Sequence, residues 1–404
     1  MGIYETVRRS TGPQVHTPTI GTRGMTEFGD EVRRLMTEQG LSARELARRS
    51  HWDASHLSKV LNGRKPVTRG LAAAVGDVLG AREALISLAD DAISPGWNAP
   101  QTRVAAADIE AAREITRTFR SLDNKFGGAH AHSLAATYLD STVIPMLRTG
   151  SYTETTGQEL FSIAAQLAHL AAWTAYDMGD HRRAQRYFAK ALELAAAAGD
   201  QGFGGEILAA SSHHAIHLGN AARAAELARA SQQVARKADI PALLAEACTL
   251  EAGSHALTGD GNACAASLSR AEEAFSRAET TDTPEWLGYF GEGYLAIRFA
   301  HCLRDLGDSE QARRYAQHAA SLDPGMIRTR VFNTILVATT YADADPAQAC
   351  SKGTEALTLA ADLQSGRVTR YVTDLEQRLR KRHASETVVK QFRQYATETL
   401  GART

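Results

Sequence analysis

Between residues 179 and 349 the chain repeats one short punctuation: a glycine, a capping residue, and a small residue four positions after the cap. It reads Gly179-Asp180 with Ala184, Gly219-Asn220 with Ala224, Gly259-Asp260 with Cys264 and Gly307-Asp308 with Ala312. A fifth copy, Ala344-Asp345 with Ala349, replaces the glycine by alanine. Successive starts are 40, 40, 48 and 37 residues apart. Each position has a physical reading. Glycine closes a helix in the left-handed conformation, the Asp or Asn side chain caps the next helix, and the small residue lets two helices cross closely. Repetition at this spacing commits the body of the chain to stacked helix pairs.

The N-terminal part is different. Residues 1–70 carry 12 Lys+Arg against 7 Asp+Glu, whereas the remainder carries 33 against 39. A modestly basic module on an acidic body fits one part facing a polyanion and another facing something else. Residues 1–24 show no helical period and read as a disordered arm with Arg8, Arg9 and Arg23; Met25 offers an alternative start. Thr26 is placed to cap a helix with Phe28, Val32, Leu35 and Met36 on one face, stopped by Gly40. Ser42 caps a second helix, Ala43 to Arg49, with Glu45 in the capping-box position. Asp53 caps a third, in which Leu57, Val60 and Leu61 are buried while Ala54, Ser55, Ser58, Lys59 and Asn62 face outward. Gly63 ends that helix. Thr68 caps a fourth helix, and Ala81 to Ala92 form a fifth. Two short helices about a tight turn, the second with small polar residues outside, form the arrangement whose second helix enters the major groove.

The stretch LSARELARRSHWDASHLSKVLNGRKPVT resembles the lambda-repressor-like, Xre-type helix-turn-helix over residues 25 to about 92. The resemblance implies that Ala54, Ser55, Ser58 and Lys59 read bases on double-stranded DNA. Asn62, Arg64 and Lys65 are better placed for phosphates, which fix register without reading sequence. The start of the second helix, often Gln in that family, is Ala43 here, so a side-chain link to phosphate is lost and Arg44 is expected to substitute. The alternative is a bundle that only contacts protein.

Beyond a linker at 95–102, the segments MGDHRRAQRYFAKALELA and LGDSEQARRYAQHAASLD resemble tetratricopeptide repeats. The periods exceed the standard 34 residues, so the helices or connections must be longer. Five repeats are expected over about 165–362, preceded by two or three helices from 103. A capping tail follows from Arg367 to Leu400, with Val368, Tyr371, Val372, Leu375 and Leu379 at helical spacing. The resemblance implies that the first helix of each repeat lines a concave groove. This points to His169, Trp173 and Tyr176, then Glu206, His213 and His217, then Tyr294, Arg298, His301 and Arg304, and finally Tyr341. Such a set suits a short peptide or small molecule, with Arg taking a carboxylate; the alternative is that the aromatics are core residues.

The expected fold is all-α: a five-helix DNA-binding bundle over 25–94 and a tetratricopeptide-like α-solenoid over 103–404. No apolar run approaches the ~18–20 residues of a membrane span, and there is no secretory apolar core. Cys248, Cys264, Cys302 and Cys350 are dispersed reduced thiols, so a cytoplasmic chain is expected. His213 and His217 lie four apart beside His214 but lack the HExxH carboxylate. The loop Lys125–His132 has neither a GxxxxGK nor a GxGxxG pattern and reads as a turn between helices. No nucleophile motif is present, so no enzyme, metal or cofactor is expected. The whole resembles the helix-turn-helix and tetratricopeptide regulators of actinobacteria, and more distantly the peptide-sensing quorum regulators of Gram-positive bacteria. It implies a homodimeric, signal-responsive transcription regulator; a protein-docking scaffold is the competing expectation.

Overall fold

The computed structural model describes residues 21–62, 65, 67–93, 103–278, 281–319 and 326–401, side chains at 21–27 and 90–93 excepted. It divides into two compact units: residues 1–104 with 145–152, and residues 105–144 with 153–404.

The first unit contains α1 (Gly21–Glu38), α2 (Ala43–Arg49), α3 (Ala54–Leu61), α4 (Arg69–Leu79) and α5 (Arg82–Ile93). Its core takes in Phe28, Val32 and Leu57 from the stripes read in the sequence and adds Leu46, Leu71, Val75 and Leu85, all fully buried. Each contributes about 1.5–3 kcal/mol of transfer free energy relative to exposure. The caps at Ser42, Asp53 and Thr68 form, accepting from the backbone N–H of Glu45, His56 and Leu71. Two expectations are corrected. Helix α1 begins at Gly21, so residues 21–24 are helical rather than part of an arm, and Thr26 lies inside the helix instead of capping it. Residues 1–20 lie outside the described residues, as do the linker positions 95–102. The capping box at Ser42 is only half made, because the Glu45 carboxylate turns forward to Arg48 at 2.6 Å and Arg49 at 2.7 Å.

The second unit opens with α6 (Ala106–Phe126), α7 (Gly128–Tyr138) and a π-helical turn at Leu139–Val143; α8 (Ile144–Thr149) then falls, but for its first residue, in the stretch that belongs to the first unit. Five helix pairs follow: α9 (Glu154–Asp177) with α10 (His181–Ala198), α11 (Gln201–His217) with α12 (Ala221–Lys237), and α13 (Pro241–Leu257) with α14 (Gly261–Ala278). The last two are α15 (Glu292–Asp305) with α16 (Ser309–His318), and α17 (Ile327–Tyr341) with α18 (Pro346–Leu359). The tail forms two capping helices, α19 (Gly366–His383) and α20 (Thr387–Gly401).

The punctuation works as its chemistry requires. Gly179, Gly219, Gly259 and Gly307 take φ of +85°, +74°, +74° and +88°. Asp180, Asn220, Asp260, Asp308 and Asp345 each accept a first-turn N–H at 3.0–3.2 Å. Ala184, Ala224, Cys264, Ala312 and Ala349 are fully buried at the crossings. The long third interval has a structural cause: between α14 and α15 an inserted segment carries a 3₁₀ turn, Glu285–Leu287, and then Tyr289.

The first helices of successive pairs lie side by side, and the C-terminal elements return to the start of the unit. Arg328 on α17 makes a forked ion pair with Asp123 on α6 at 2.6 and 2.9 Å. Arg367 on α19 pairs with Asp177 at the end of α9 at 3.0 Å, and Ser365 donates to the same carboxylate at 2.9 Å. The backbone N–H of Gln364 donates to the carbonyl of Phe126 at 3.0 Å. The Gly127-Gly128 turn permits this approach, since a Cβ at Gly127 would lie 2.5 Å from the Gln364 carbonyl oxygen and one at Gly128 2.6 Å from that of Thr174.

Candidate functional sites: a DNA-reading face and a buried polar interior

Helix α3 is held by its neighbours in a way that frees one face. The turn from α2 passes through His51 at φ +58°, a left-handed residue that closes α2 while Trp52 N–H returns to the Ala47 carbonyl. Leu57, Val60 and Leu61 point inward; Ala54, Ser55, Ser58 and Lys59 are exposed along the outer side. Ala54 and Ser55 open the helix and Ser58 and Lys59 lie one turn on, so a groove-entering helix would present all four together. Arg44 is exposed in the first turn of α2, and Lys65 is exposed beyond α3 with its N–H bonded to the Lys59 carbonyl. Asn62 is the C-cap of α3; its amide nitrogen donates to the Ser58 carbonyl at 2.8 Å. That bond spends on the helix end a donor expected to reach phosphate. Arg64 lies outside the described residues.

Sequence reasoning missed what fixes α3. Arg33 on α1 donates to the Leu61 carbonyl at 2.8 Å, satisfying an orphan acceptor at the helix end. Gly29, one turn earlier, lets α1 pass so close that a Cβ would stand 2.4 Å from the Leu61 oxygen. The Gly29–Arg33 spacing is visible in the sequence, but nothing in it says which backbone the pair approaches.

In the second unit, most of the expected groove residues come together from α9, α11 and α15, joined by unexpected partners from α13 and α19. Trp173 and Tyr176 meet edge to face at 5.5 Å; His213 lies 5.4 Å from Trp173 and accepts or donates a bond to the Tyr176 hydroxyl at 3.2 Å. His217 meets Tyr176 edge to face at 5.1 Å and reaches the Tyr371 hydroxyl at 3.4 Å. Arg367 lies over the rings of Tyr176 at 4.4 Å, Phe332 at 4.5 Å and Trp173 at 5.3 Å. Further along, Tyr289 from the inserted segment meets Tyr294 at 5.3 Å and contacts both Glu206 and Glu246. Arg298 lies beside Gly253, where a Cβ would crowd Ile216 at 3.0 Å and only touch the guanidinium at 3.7 Å.

Burial sets the protonation of this interior. Burial, then the charges of Arg298 and Arg367, drives His213 well below the ordinary imidazole value; His301 follows through burial, Arg304 and Arg298. Both rings are neutral at physiological pH and each offers one donor. Burial and the mutual proximity of the carboxyls push Glu206 well up, and burial pushes Glu246 up to about 7. The geometry says the same: the Tyr289 hydroxyl sits 3.0 Å from Glu206 and 2.9 Å from Glu246, and one hydroxyl proton cannot satisfy two carboxylates. The pair holds a proton.

Three expected groove residues are placed elsewhere. His169 is a core residue, wedged between Phe188 at 6.0 Å and Phe203 at 5.5 Å where α9 meets α10 and α11. Its ring is flanked by apolar side chains, so it cannot face a ligand. Tyr341 lies under Arg313 at 4.3 Å and borders a surface cleft with Arg330, Asn333 and Lys352, because it falls at the end of α17 rather than mid-helix. Arg304 pairs with Asp305 at 2.6 Å. Sequence reasoning also missed Glu246, Tyr289, Arg367 and the ion pairs at Asp123 and Asp177. Glu246 sits on α13, the one repeat from which no groove residue was drawn. The loop Lys125–His132 proves to be a packing device: Gly128 N–H donates to Asp177 at 3.0 Å and His132 bonds Thr174 at 3.0 Å. Among the described residues no group of three or more His, Cys, Asp or Glu side chains is arranged to hold a metal ion.

Comparison with known families agrees with this architecture. Residues 27–89 match the helix-turn-helix domain, and residues 165–197 and 295–326 match the tetratricopeptide repeat. The chain is therefore an all-α protein that joins a helix-turn-helix domain to tetratricopeptide repeats. The crystal structure of the P58(IPK) TPR domain is similar at 14% identity, covering 94% of this chain and 98% of that chain, with a TM-score of 0.22, too loose a superposition to transfer any detail. No curated protein matches the chain.

Proposed function

We propose that the chain is a sequence-specific, DNA-binding transcription regulator that acts as a homodimer on a two-half-site operator and takes its signal in the repeat body. The observation that carries this reading is the outer face of α3, where Ala54, Ser55, Ser58 and Lys59 are exposed together at the mouth of a helix-turn-helix. Small side chains let the helix backbone approach the groove floor, and Lys59 reaches guanine O6 or N7. Arg44 and Lys65 neutralise phosphates and set register. One such module buries too little DNA surface for operator affinity, which is why a dimer is invoked.

The buried polar interior of the repeats supports the sensing half. Aromatic rings, neutral histidines, a buried arginine and a protonated carboxyl pair form a polar interior of the kind that orients a small ligand or a peptide end. A ligand that prefers one packing of the repeats would shift the population of reader spacings. No catalytic step belongs to this reading. No described helix is long and apolar enough to cross a membrane.

The test is selection of bound genomic fragments by the purified full chain, footprinted at physiological salt. A discrete inverted repeat is expected. Diffuse protection that vanishes steeply with salt would reduce DNA binding to backbone contacts and leave the repeats as a docking scaffold for another protein.

A further inference from the structure

The segment inserted between α14 and α15 reaches back to α6, α11 and α13, and only side chains hold it there. Glu285 forms a forked ion pair with Arg117 on α6, at 3.0 and 3.3 Å. Trp286 meets Phe203 on α11 edge to face at 5.6 Å. Leu287 and Phe290 are buried in the core that α13 and α14 share. The backbone takes no part. The N–H groups of Leu287, Gly288, Phe290 and Gly291 bond to the carbonyls of Pro284, Glu285, Leu287 and Tyr289, all within the segment. A stretch whose backbone bonds close on themselves can open locally and leave the helices beneath it intact.

Its polar fastening is Tyr289. The hydroxyl lies 3.0 Å from Glu206 on α11 and 2.9 Å from each oxygen of Glu246 on α13. The two carboxyls also bond each other through the proton they share, so the cluster carries a single negative charge. Two arginines stand by. Arg120 on α6 acts on Glu206, and Arg298 on α15 acts on Glu246, through charge alone. Neither arginine has an ion-pair partner among the described residues, and the Nε of the buried Arg298 has no acceptor. Each carboxyl therefore has a choice between the hydroxyl with the shared proton and an arginine. Two bare carboxylates side by side in a buried site repel, so loss of the proton forces that choice.

We propose that residues 284–290 form a strap over the repeat interior, latched through Tyr289 while Glu206 and Glu246 share a proton, and released when that proton leaves and the two carboxylates turn to Arg120 and Arg298. The step is an acid dissociation: the proton passes to solvent, and no bond between heavy atoms forms or breaks. Release uncovers Glu206, Glu246 and Tyr294, so the strap governs access to the interior. This rests on the reading of that interior as the signal site and names how the site opens. Burial lifts Glu246 to about 7, which puts release near neutrality. The surrounding groups do not titrate there. Burial carries the Tyr289 hydroxyl well up and pushes Tyr294 up to about 12. His213 on α11 and His301 on α15, which feel the charge of Arg298, are already neutral, and Arg367 on α19 stays charged.

The experiment is amide exchange of residues 284–291 in the purified full chain at about pH 6 and about pH 8.5, on either side of the Glu246 value. Rates are taken relative to a synthetic peptide of the same sequence, which removes the chemical pH dependence. Protection should fall by about tenfold or more at the higher pH. Glu206→Gln with Glu246→Gln keeps acceptors for Tyr289 but cannot ionise, and should hold its protection at both pH values. Tyr289→Phe should exchange fast at both. Arg298→Gln should move the opening to higher pH, because Glu246 then lacks its second partner; an arginine with a merely structural role would leave the opening pH where it was. Unchanged wild-type protection across the range overturns the proposal, and so does an equal loss in the double Gln variant. If that variant does not fold, Glu206→Gln alone, which also removes the shared proton, replaces it. A strap that opens while operator affinity is the same at both pH values upholds the latch and removes the interior as the signal site. A strap that stays shut while a cell extract changes operator binding overturns the latch and leaves the regulator reading standing.

Discussion

Gly29 and Lys59 show how differently two residues of one small bundle act. Lys59 is exposed and its contribution waits for DNA, whereas Gly29 is spent entirely on the close pass of α1 over the end of α3. Gly29→Ala should therefore cost about 1–3 kcal/mol through the forced shift of α3. Urea unfolding would register it, and an unchanged midpoint would show that α1 can slide away freely. Replacing Ser58 and Lys59 by Ala should leave that midpoint within about 0.5 kcal/mol but reduce binding to the selected operator far more than binding to random DNA. Equal losses on the two DNAs would demote both residues to backbone contacts. The sequence announced Ser58 and Lys59 because an outward polar stripe on a capped helix is a local pattern. It could not announce Arg33 or Gly29, whose roles depend on where the Leu61 carbonyl lies in space.

At the scale of elements, α19 departs most from what its sequence advertised. Its apolar stripe, Val368, Val372, Leu375 and Leu379, was legible as a cap and is fully or almost fully buried. Its first turn does a second job that no periodicity shows, bringing Arg367 to Asp177 across 190 residues of chain. Burial alone would raise the Asp177 carboxyl; Arg328, Arg367 and the Gly128 N–H outweigh it and hold that carboxyl below the ordinary value. Arg367→Ala leaves a buried carboxylate short of its partner and should cost about 3–5 kcal/mol. The double change Arg367→Met with Asp177→Asn should cost much less than the two single changes together. Additive losses in denaturant would mean that the pair is not coupled. The repeat punctuation was readable because each Gly-Asp turn is fixed by neighbours within a few residues. The groove residues were readable only in part: helical phase marked Arg298 and Glu206, which are buried in the interior of the unit, but also marked His169, which Phe188 and Phe203 flank.

Across the whole molecule, buried ionisable groups give opposing responses to pH. Burial pushes His169 and His217 down to about 3 and His214 to about 4, and carries His213 and His301 well down as well. These rings stay neutral in the folded state while the unfolded chain takes up protons below its imidazole value of 6.5. Their stabilisation is complete above that value and is lost as pH falls toward 3–4. Glu206 and Glu246 act the other way: with folded values raised, Glu246 to about 7, they stabilise below the ordinary value of 4.5 and that contribution is lost as pH rises through 7. His132 and His181 are lowered too and Asp123 and Glu376 raised, so seven histidines outweigh four carboxyls and urea midpoints should fall between pH 6.5 and pH 5. Glu206→Gln with Glu246→Gln should steepen that fall and raise the midpoint at pH 8. A wild-type midpoint that climbs on acidification would show that the histidines are not buried as described.

A row of helical repeats ordinarily frays from its ends, because each unit answers only to its neighbours. Here the ties at Asp123, Asp177 and Phe126 clip the last helices to the first, as a clasp closes a bracelet. Loss of one interior pair then cannot be absorbed by peeling back a terminus, and amide exchange should be lost from first to last repeat in a single cooperative opening. The nascent chain carries the same burden, since α6 and α9 must wait for residues synthesised about two hundred positions later before their buried carboxylates are matched. Until then they remain clients for whatever holds unfinished chains.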